Sequence, residues 1–204
     1  EIFNYSANNG LAAYCDDLIL GIKKDNGKFI ITTNNREITA DVVVNCAGSW
    51  ANNISNFLGL PLNVKSIPQQ MIVTEPAIYE LKILIAHIGR HLTLKQAQNG
   101  NYIIGGGWTA GYSNLTKHIH SKKESFEGNA WIAKKVIPKL SNANVLRTWA
   151  AMSVDVGGYP LLGEHPNMKN FYVVVSQNGY TLGPILGDLV SNQILFNKKD
   201  LDLF

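Results

Sequence analysis

Residues 41–50 read Asp41-Val42-Val43-Val44-Asn45-Cys46-Ala47-Gly48-Ser49-Trp50. The β-branched run at the start is of the kind buried on both faces of a parallel sheet. It stops at Ala47-Gly48, where Ser49 is placed to N-cap a helix over residues 50–58 that closes at Gly59, with Pro61 just beyond. Strand, small-residue turn, cap and helix put a tight turn at the carboxyl end of a parallel strand, where ligands of α/β folds gather. A second junction of this kind follows the hydrophobic run 171–175. It reads Ser176-Gln177-Asn178-Gly179-Tyr180-Thr181-Leu182-Gly183-Pro184 and leads into an amphipathic segment over residues 185–196. A polar, glycine-bearing turn that opens a helix presents backbone N–H groups and the positive end of the helix dipole, and so suits a negative charge.

Outward from these junctions, residues 1–10 read as the last turns of a helix closed by a C-cap at Gly10. A helix entered midway leads us to expect sequence upstream. Residues 11–14 form a short strand candidate. Strands over 18–24 and 28–33 flank Asp25-Asn26-Gly27, an Asn-Gly hairpin turn, and Asn34-Asn35 turns the chain again before a short strand at 37–39. The middle differs. Residues 65–74 form a long strand candidate containing Pro68, hence irregular or at an edge. Residues 91–96 alternate, turn at 98–101 and return over 102–105. Residues 122–140 are helical, with Ile132, Ala133, Val136 and Ile137 on one face, and 145–152 are again extended. Strands with one helix and few crossovers imply an antiparallel sheet inserted into the α/β part. The expected division is residues 1–62 with 145–204 as one domain and 63–144 as the other.

At 204 residues and 46% hydrophobic the chain has ample material for a core. No apolar run reaches the roughly 18 residues that argue a membrane span, and no basic-then-apolar leader opens the sequence. A soluble, cytoplasmic protein is expected. The net charge is +3, with lysines in scattered pairs such as Lys23-Lys24 and Lys134-Lys135. Such pairs read as solvated faces, so no nucleic-acid partner is expected. Cys15 and Cys46 are too few for a disulfide framework, and their apolar, strand-like surroundings imply buried thiols. Gly105-Gly106-Gly107-Trp108-Thr109-Ala110-Gly111 is spaced GxGxxxG and leads to no helix; it reads as a strand end beside something bulky rather than a nucleotide loop. His118-Ile119-His120 lacks companion ligands at metal spacing and reads as a surface loop, so no metal is expected. There is no GxSxG, and neither cysteine carries a nucleophile signature.

Taken together and in order, the short motifs resemble one family. Ala40 through Trp50 resembles the "AD-VVV-NAAG-AW" strand of the flavin-dependent amine and D-amino-acid oxidoreductases, which include sarcosine oxidase, glycine oxidase and D-amino-acid dehydrogenase. Arg147-Thr148-Trp149-Ala150-Ala151-Met152 resembles the family's "R-x-W-x-G" strand, and Tyr159-Pro160-Leu161-Leu162-Gly163 its "x-P-x-x-G". Asn178 to Pro184 resembles the "H-G-x-T-x-A-P" turn. Leu92-Thr93-Leu94-Lys95-Gln96 with Ile103-Ile104-Gly105-Gly106-Gly107 resembles the substrate-domain hairpin. The resemblance spans nearly the whole chain.

It implies an α/β, mixed α+β fold: the second part of an FAD-binding Rossmann-like domain carrying an inserted, mainly antiparallel substrate-binding sheet. The family's GxGxxG turn has no counterpart in these residues, so an N-terminal portion of roughly 150 residues or a separate partner chain is expected to complete the FAD site. The resemblance assigns FAD contacts to Ile19 on the strand that pairs with the adenine edge, to Ala47, Gly48 and Trp50, and to Ser176, Gln177, Asn178, Gly179, Tyr180, Thr181 and Leu182 around the flavin's pyrimidine end. The implied reaction takes hydride from a carbon bearing an amine, in an amine or amino-acid substrate, and passes electrons to O2 or another acceptor.

The chain departs from the pattern where many members carry an Arg-Pro that grips a substrate carboxylate; Ser153-Val154 stands there. Lys95, Gln96 and Ser153 are the candidate substrate contacts, with Arg90 and His91 as further substitutes and Tyr102 and Trp108 as an aromatic wall. Arg147 falls at the other end of the strand, where the family's arginine is more often structural. Two alternatives to an oxidoreductase held in one chain stand beside it: one subunit of a split or hetero-oligomeric flavin dehydrogenase, and a non-catalytic binding domain that has lost the cofactor.

Overall fold

The computed structural model describes residues 2–116 and 118–199. Helix α1 (Ile2–Asn8) precedes strands β1 (Ile19–Asp25), β2 (Lys28–Thr33), β3 (Glu37–Ala40) and β4 (Val43–Asn45), and a 3-10 turn at Gly48–Trp50 leads into α2 (Ala51–Asn56). There follow β5 (Lys65–Pro76), β6 (Ile85–His87), β7 (Leu92–Gln96), β8 (Asn101–Gly105), β9 (Gly111–Tyr112), β10 (Ile119–His120) and α3 (Lys123–Val136). A 3-10 segment at Pro138–Asn142, then β11 (Val145–Asp155), β12 (Leu161–Glu164), β13 (Phe171–Val175) and α4 (Gly179–Phe196) complete the order. The chain divides into two units, Glu1–Val64 with Val156–Phe204, and Lys65–Asp155. The expected boundary therefore moves: β11 belongs with the second unit, because its whole length pairs with β5, from Val145 opposite Thr74 to Asp155 opposite Lys65.

In the first unit, α1 ends as its sequence demands. Leu11 N–H donates to Ser6 C=O at 3.0 Å and Gly10, at φ +95°, donates to Ala7 C=O at 3.3 Å, the paired bonds of a glycine-closed helix end. The strand expected at residues 11–14 is absent, since Leu11's donor is taken by the cap and the Tyr14 ring lies under the Arg36 guanidinium at 3.9 Å. β1, β2 and β3 form an antiparallel meander, turned at Asn26 (φ +48°) and Gly27 (φ +82°) as Asn-Gly predicts. A second sheet runs β12-β13-β4, with β13 parallel to β4 and antiparallel to β12. Leu162 and Tyr172 on this sheet pack against Leu186 and Val190 of α4. Phe29 of β2 and Phe171 of β13, both fully buried, meet at 6.1 Å between ring centroids.

β4 ends earlier than its sequence suggests, at Asn45. The Asn45 carboxamide, 3% exposed, takes over from the ladder. Its Nδ2 donates to Ala51 C=O at 2.8 Å and to Ser55 Oγ at 3.0 Å, while its Oδ1 accepts from Ala47 N–H at 3.2 Å. These bonds tie strand end, turn and α2 together. Trp50, not Ser49, occupies the N-cap of α2, because the 3-10 turn at Gly48–Trp50 brings the helix in one residue late. Cys46 thus lies past the strand, and both Cys15 and Cys46 are exposed rather than buried.

The second unit is a five-stranded antiparallel sheet in the order β11-β5-β8-β7-β6. Pro68 is accommodated where β5 has β11 on one side and has not yet met β8, whose pairing begins at Ile72. Ile72, Leu92, Leu94, Tyr102 and Ile104 form the buried face, covered by Ile132 and Ala133 of α3. Gln70 fixes the start of that helix, its Oε1 accepting from Lys122 N–H at 2.7 Å and its Nε2 donating to Lys122 C=O at 3.3 Å. The glycine-rich stretch packs against bulk as expected, Gly105 beside Met71 and Gly106 against the Leu92–Thr93 backbone. His118 and His120 are exposed, their rings parallel at 6.3 Å, and His120 belongs to β10 rather than a loop. No helix among the described residues is long and apolar enough to cross a membrane.

Two stability outcomes follow. Asn45→Ala removes three hydrogen bonds from a buried junction and should lower unfolding free energy by roughly 2–3 kcal/mol, read as a fall in urea midpoint. His165 is 6% exposed, and burial pushes its pKa below the usual 6.5; its Nδ1 also accepts from Asn167 N–H at 3.2 Å, which a protonated ring cannot do. The fold therefore prefers the neutral ring, so this contribution is complete above about pH 6.5 and is lost as pH falls below it, where the unfolded chain binds the extra proton. His165→Asn should flatten the acid limb of the urea midpoint plotted against pH.

Candidate functional site

Parallel pairing places Phe171 opposite Val43, Tyr172 opposite Val44 and Val173 opposite Asn45. The carboxyl ends of β4 and β13 are thereby side by side, and the turns that leave them, Cys46-Ala47-Gly48 and Ser176-Gln177-Asn178, share one edge of the sheet. This is the position at which α/β sheets receive ligands. Gly48 sits at φ +54°, a conformation that side chains rarely adopt, with no atom of the chain within 4 Å of where a Cβ would be. Its requirement for glycine is one of backbone conformation, not of crowding within the chain.

The second turn is built to leave donors free. Asn178 N–H donates to Ser176 Oγ at 3.1 Å, and the Asn178 C=O accepts from Thr181 N–H at 3.0 Å and Leu182 N–H at 2.9 Å. The helix starts at Gly179, six residues before the amphipathic segment read from the sequence, with Pro184 inside it. Gly179 and Tyr180 N–H find no acceptor among the described residues, and both residues are exposed. Two N–H groups at the start of an 18-residue helix form an anion site. No side chain caps them.

Beside the first turn, a mainly apolar hollow of about 310 Å³ is lined by Ile19, Ile22, Ile31, Val44, Cys46 and Ala47 among others. Ile19 lies on β1, the edge strand of its meander, with a register shift between Ile19 and Gly21. Ile19 and Ala47, far apart in sequence, therefore line one hollow. Trp50 is exposed; Cys46 is exposed as a residue, but the protein packed around its sulfur desolvates the thiol and raises its pKa. Asn45, which orients this turn, was not among the residues marked out by sequence; an asparagine ending a β-branched run was the available signal.

The candidate substrate residues separate. Cross-strand partners share a face, so the register Val73–Ile103–Lys95 places Lys95 on the sheet face opposite α3. Arg147, Trp149 and Ser153 join that face through Val73, Met71 and Ile67. Gln96 points the other way. Its Oε1 accepts from Glu80 and Leu81 N–H at 2.9 and 3.0 Å, and its Nε2 donates to Ile78 and Gly100 C=O at 2.8 and 3.0 Å. Every hydrogen-bonding position of that amide is engaged within the chain, which makes Gln96 a staple for the loop at residues 78–81. Tyr102 is buried in the core, and Trp108 packs on the α3 side together with Ile132, away from Lys95.

Residues 3–193 match the family of FAD dependent oxidoreductases designated DAO. Glycine oxidase of Geobacillus kaustophilus strain HTA426 is 23% identical over 206 residues, covering 97% of this chain and 52% of that protein. The beta chain of sarcosine oxidase from Rhizobium meliloti is 25% identical over 157 residues, covering 76% of this chain and 37% of that one. The crystal structure of L-proline dehydrogenase from P. horikoshii superposes with a TM-score of 0.87 at 22% identity, over 97% of this chain and 54% of that chain. The chain spans about half the length of the curated relatives it matches. With the match running through both junction turns and the antiparallel sheet between them, the chain belongs to the DAO family of FAD-dependent oxidoreductases.

Proposed function

We propose that these residues form the flavin-tuning and substrate-facing parts of an enzyme that oxidises the C–N bond of an amine or amino acid. The observation that carries the reading is the pair of unengaged N–H groups, Gly179 and Tyr180, beside the Cys46–Gly48 turn at the carboxyl edge of a parallel strand pair. FAD, when bound, would supply the acceptor for hydride from the carbon next to nitrogen, a chemistry that favours donors placed to meet negative charge at its pyrimidine edge. The chain fits that edge: uncapped donors at a helix start, and open space around Gly48 and Gly179 that admits a flat ring system. The apolar hollow around Ile19 and Ala47 suits the nucleotide half.

The protein's own work is to orient and to stabilise. Gly179 and Tyr180 would donate to the pyrimidine edge, favouring its charged form. Ser176 holds Asn178 N–H and so keeps the turn in shape. On the separate sheet, Lys95, Arg147 and Ser153 share an uncovered face with the Trp149 ring, over which the Arg147 guanidinium lies at 5.6 Å. A cation beside an aromatic wall suits a carboxylate-bearing amine, with Lys95 or Arg147 supplying the charge that the family's missing arginine otherwise provides. The phosphate-gripping GxGxxG turn is not in these 204 residues, and we assign it to a further polypeptide segment. Exposed Leu18, Leu20, Val44, Trp50 and Phe57 on the first unit support such a covering segment. So do relatives that are themselves named as single subunits, of sarcosine oxidase and of opine oxidase.

Two measurements test the reading on the complete flavin-loaded protein. Anaerobic titration with sarcosine, glycine, proline and D-amino acids should bleach the flavin for at least one of them; if no amine or amino acid does so, the amine-oxidation reading fails. Gly179→Asp places a negative charge at the helix start, where the chain has room for a Cβ. It should lower the flavin midpoint potential by about 20–40 mV, the two-electron equivalent of about 1–2 kcal/mol, with Gly179→Ala leaving it nearly unchanged.

A further inference from the structure

On the α3 side of the second unit, away from Lys95 and Ser153, a hollow of about 310 Å³ is walled by Trp108, Trp131, Arg90, His91, Gly128 and Ile132. Its chemistry is unlike that of the uncovered sheet face. Two indoles supply flat apolar walls, and no lining residue is acidic. Two cations stand over the exposed Trp131 ring, the Arg90 guanidinium and the Lys135 ammonium, each 5.7 Å from its centroid. Neither forms an ion pair with a carboxylate among the described residues.

Three local features mark this arrangement. His91 sits at φ +47°, an uncommon backbone state for a side-chain-bearing residue, and its ring reaches Gly107. Gly128 on α3 lies against the Trp108 ring, which a Cβ at that position would meet, so the ring can rest on the helix there only because position 128 has no side chain. The Trp108 indole N–H is buried and has no acceptor among the described residues, an unmet donor on a ring that walls the hollow.

We propose that this hollow is a binding site for a planar aromatic carboxylate, distinct from the site of amine oxidation. The ring packs against the indoles, and the carboxylate pairs with Arg90, whose planar fork matches it. Because Lys95 lies on the face of the sheet opposite α3, a ligand in this hollow does not compete directly with one on that face.

The test is calorimetric titration of the full chain with 2-naphthoate, and with 2-naphthylmethanol as its uncharged counterpart. The carboxylate should bind in the submillimolar range and the alcohol at least tenfold more weakly. Trp131→Leu and Arg90→Gln, both at exposed positions, should each weaken naphthoate at least tenfold with the thermal midpoint unmoved. Lys95→Gln and Ser153→Ala should leave its affinity within twofold. The proposal is overturned if naphthoate gives no binding at millimolar concentration, if the alcohol binds equally well, or if affinity follows Lys95 rather than Arg90 and Trp131.

Discussion

The carboxamide of Asn45 is the constraint on which the first unit's functional edge depends. β4 makes only three residues of ladder before its pairing with β13 ends. A parallel strand that short gains little from backbone pairing, and the chain must turn at once into a helix whose first donors are unmet. Asn45 is able to act on both sides of that turn because it carries a donor group and an acceptor on one rigid plane. Its amide donates forward to Ala51 and Ser55 and its oxygen accepts from Ala47. Aspartate has no N–H to donate, and leucine would fill the space with neither bond. With the turn thus fixed, Gly48 can hold its positive φ and the carboxyl edge stays open.

The second unit solves a different problem, how one thin sheet serves two environments. Its register places Ile72, Leu94 and Ile104 against α3, while Lys95, Arg147 and Trp149 face the other way. Period-two alternation makes the two faces chemically independent. The staple at Gln96 and the clamp at Gln70 both lie on the covered side, where each buried amide bonds loop or helix backbone that would otherwise lack partners. The uncovered face is thereby left free to carry charge without weakening the core beneath it.

Much of this was legible in the sequence because local chemistry and tertiary structure agree. Asn26-Gly27 is a turn wherever it occurs between strands, Gly10 closes α1 through its φ, and the run 171–175 is too apolar and branched to be other than a buried strand. The failures have a shared cause: long-range pairing that no local window contains. The strand read over residues 145–152 was grouped with the first domain, whereas β5 is the partner of β11 along its full length. Residues 11–14 had strand composition but no neighbour to pair with. The cysteines read as buried because their neighbours are apolar, yet burial depends on what covers a strand, and Cys46 lies one residue past its end. Lys95 and Gln96 were both candidate substrate contacts on the hairpin, but as neighbours in a strand they face opposite ways, and the Gln96 amide is bonded to the loop at residues 78–81.

The orientation of α4 decides whether its start can do electrostatic work. A helix terminus stabilises charge usefully when its donors are already aimed and need not reorganise. Leu182, Leu186 and Val190 recur at four-residue spacing on the face packed against β12 and β13, and Leu186 and Val190 are buried. That stripe fixes the helix axis and therefore the direction of Gly179 and Tyr180 N–H. Pro184 lies within the helix and removes the donor that would bond Tyr180 C=O, but it leaves the N–H groups of the first turn untouched. The side chains at the helix start add neither an acidic residue that would neutralise the positive end nor a cap that would occupy its donors. A sequence that spends its first helical turn on glycine, an outward-facing tyrosine and threonine forgoes the stability of an N-cap, and what it retains in exchange is a rigid, uncapped pair of donors at the edge where two parallel strands end.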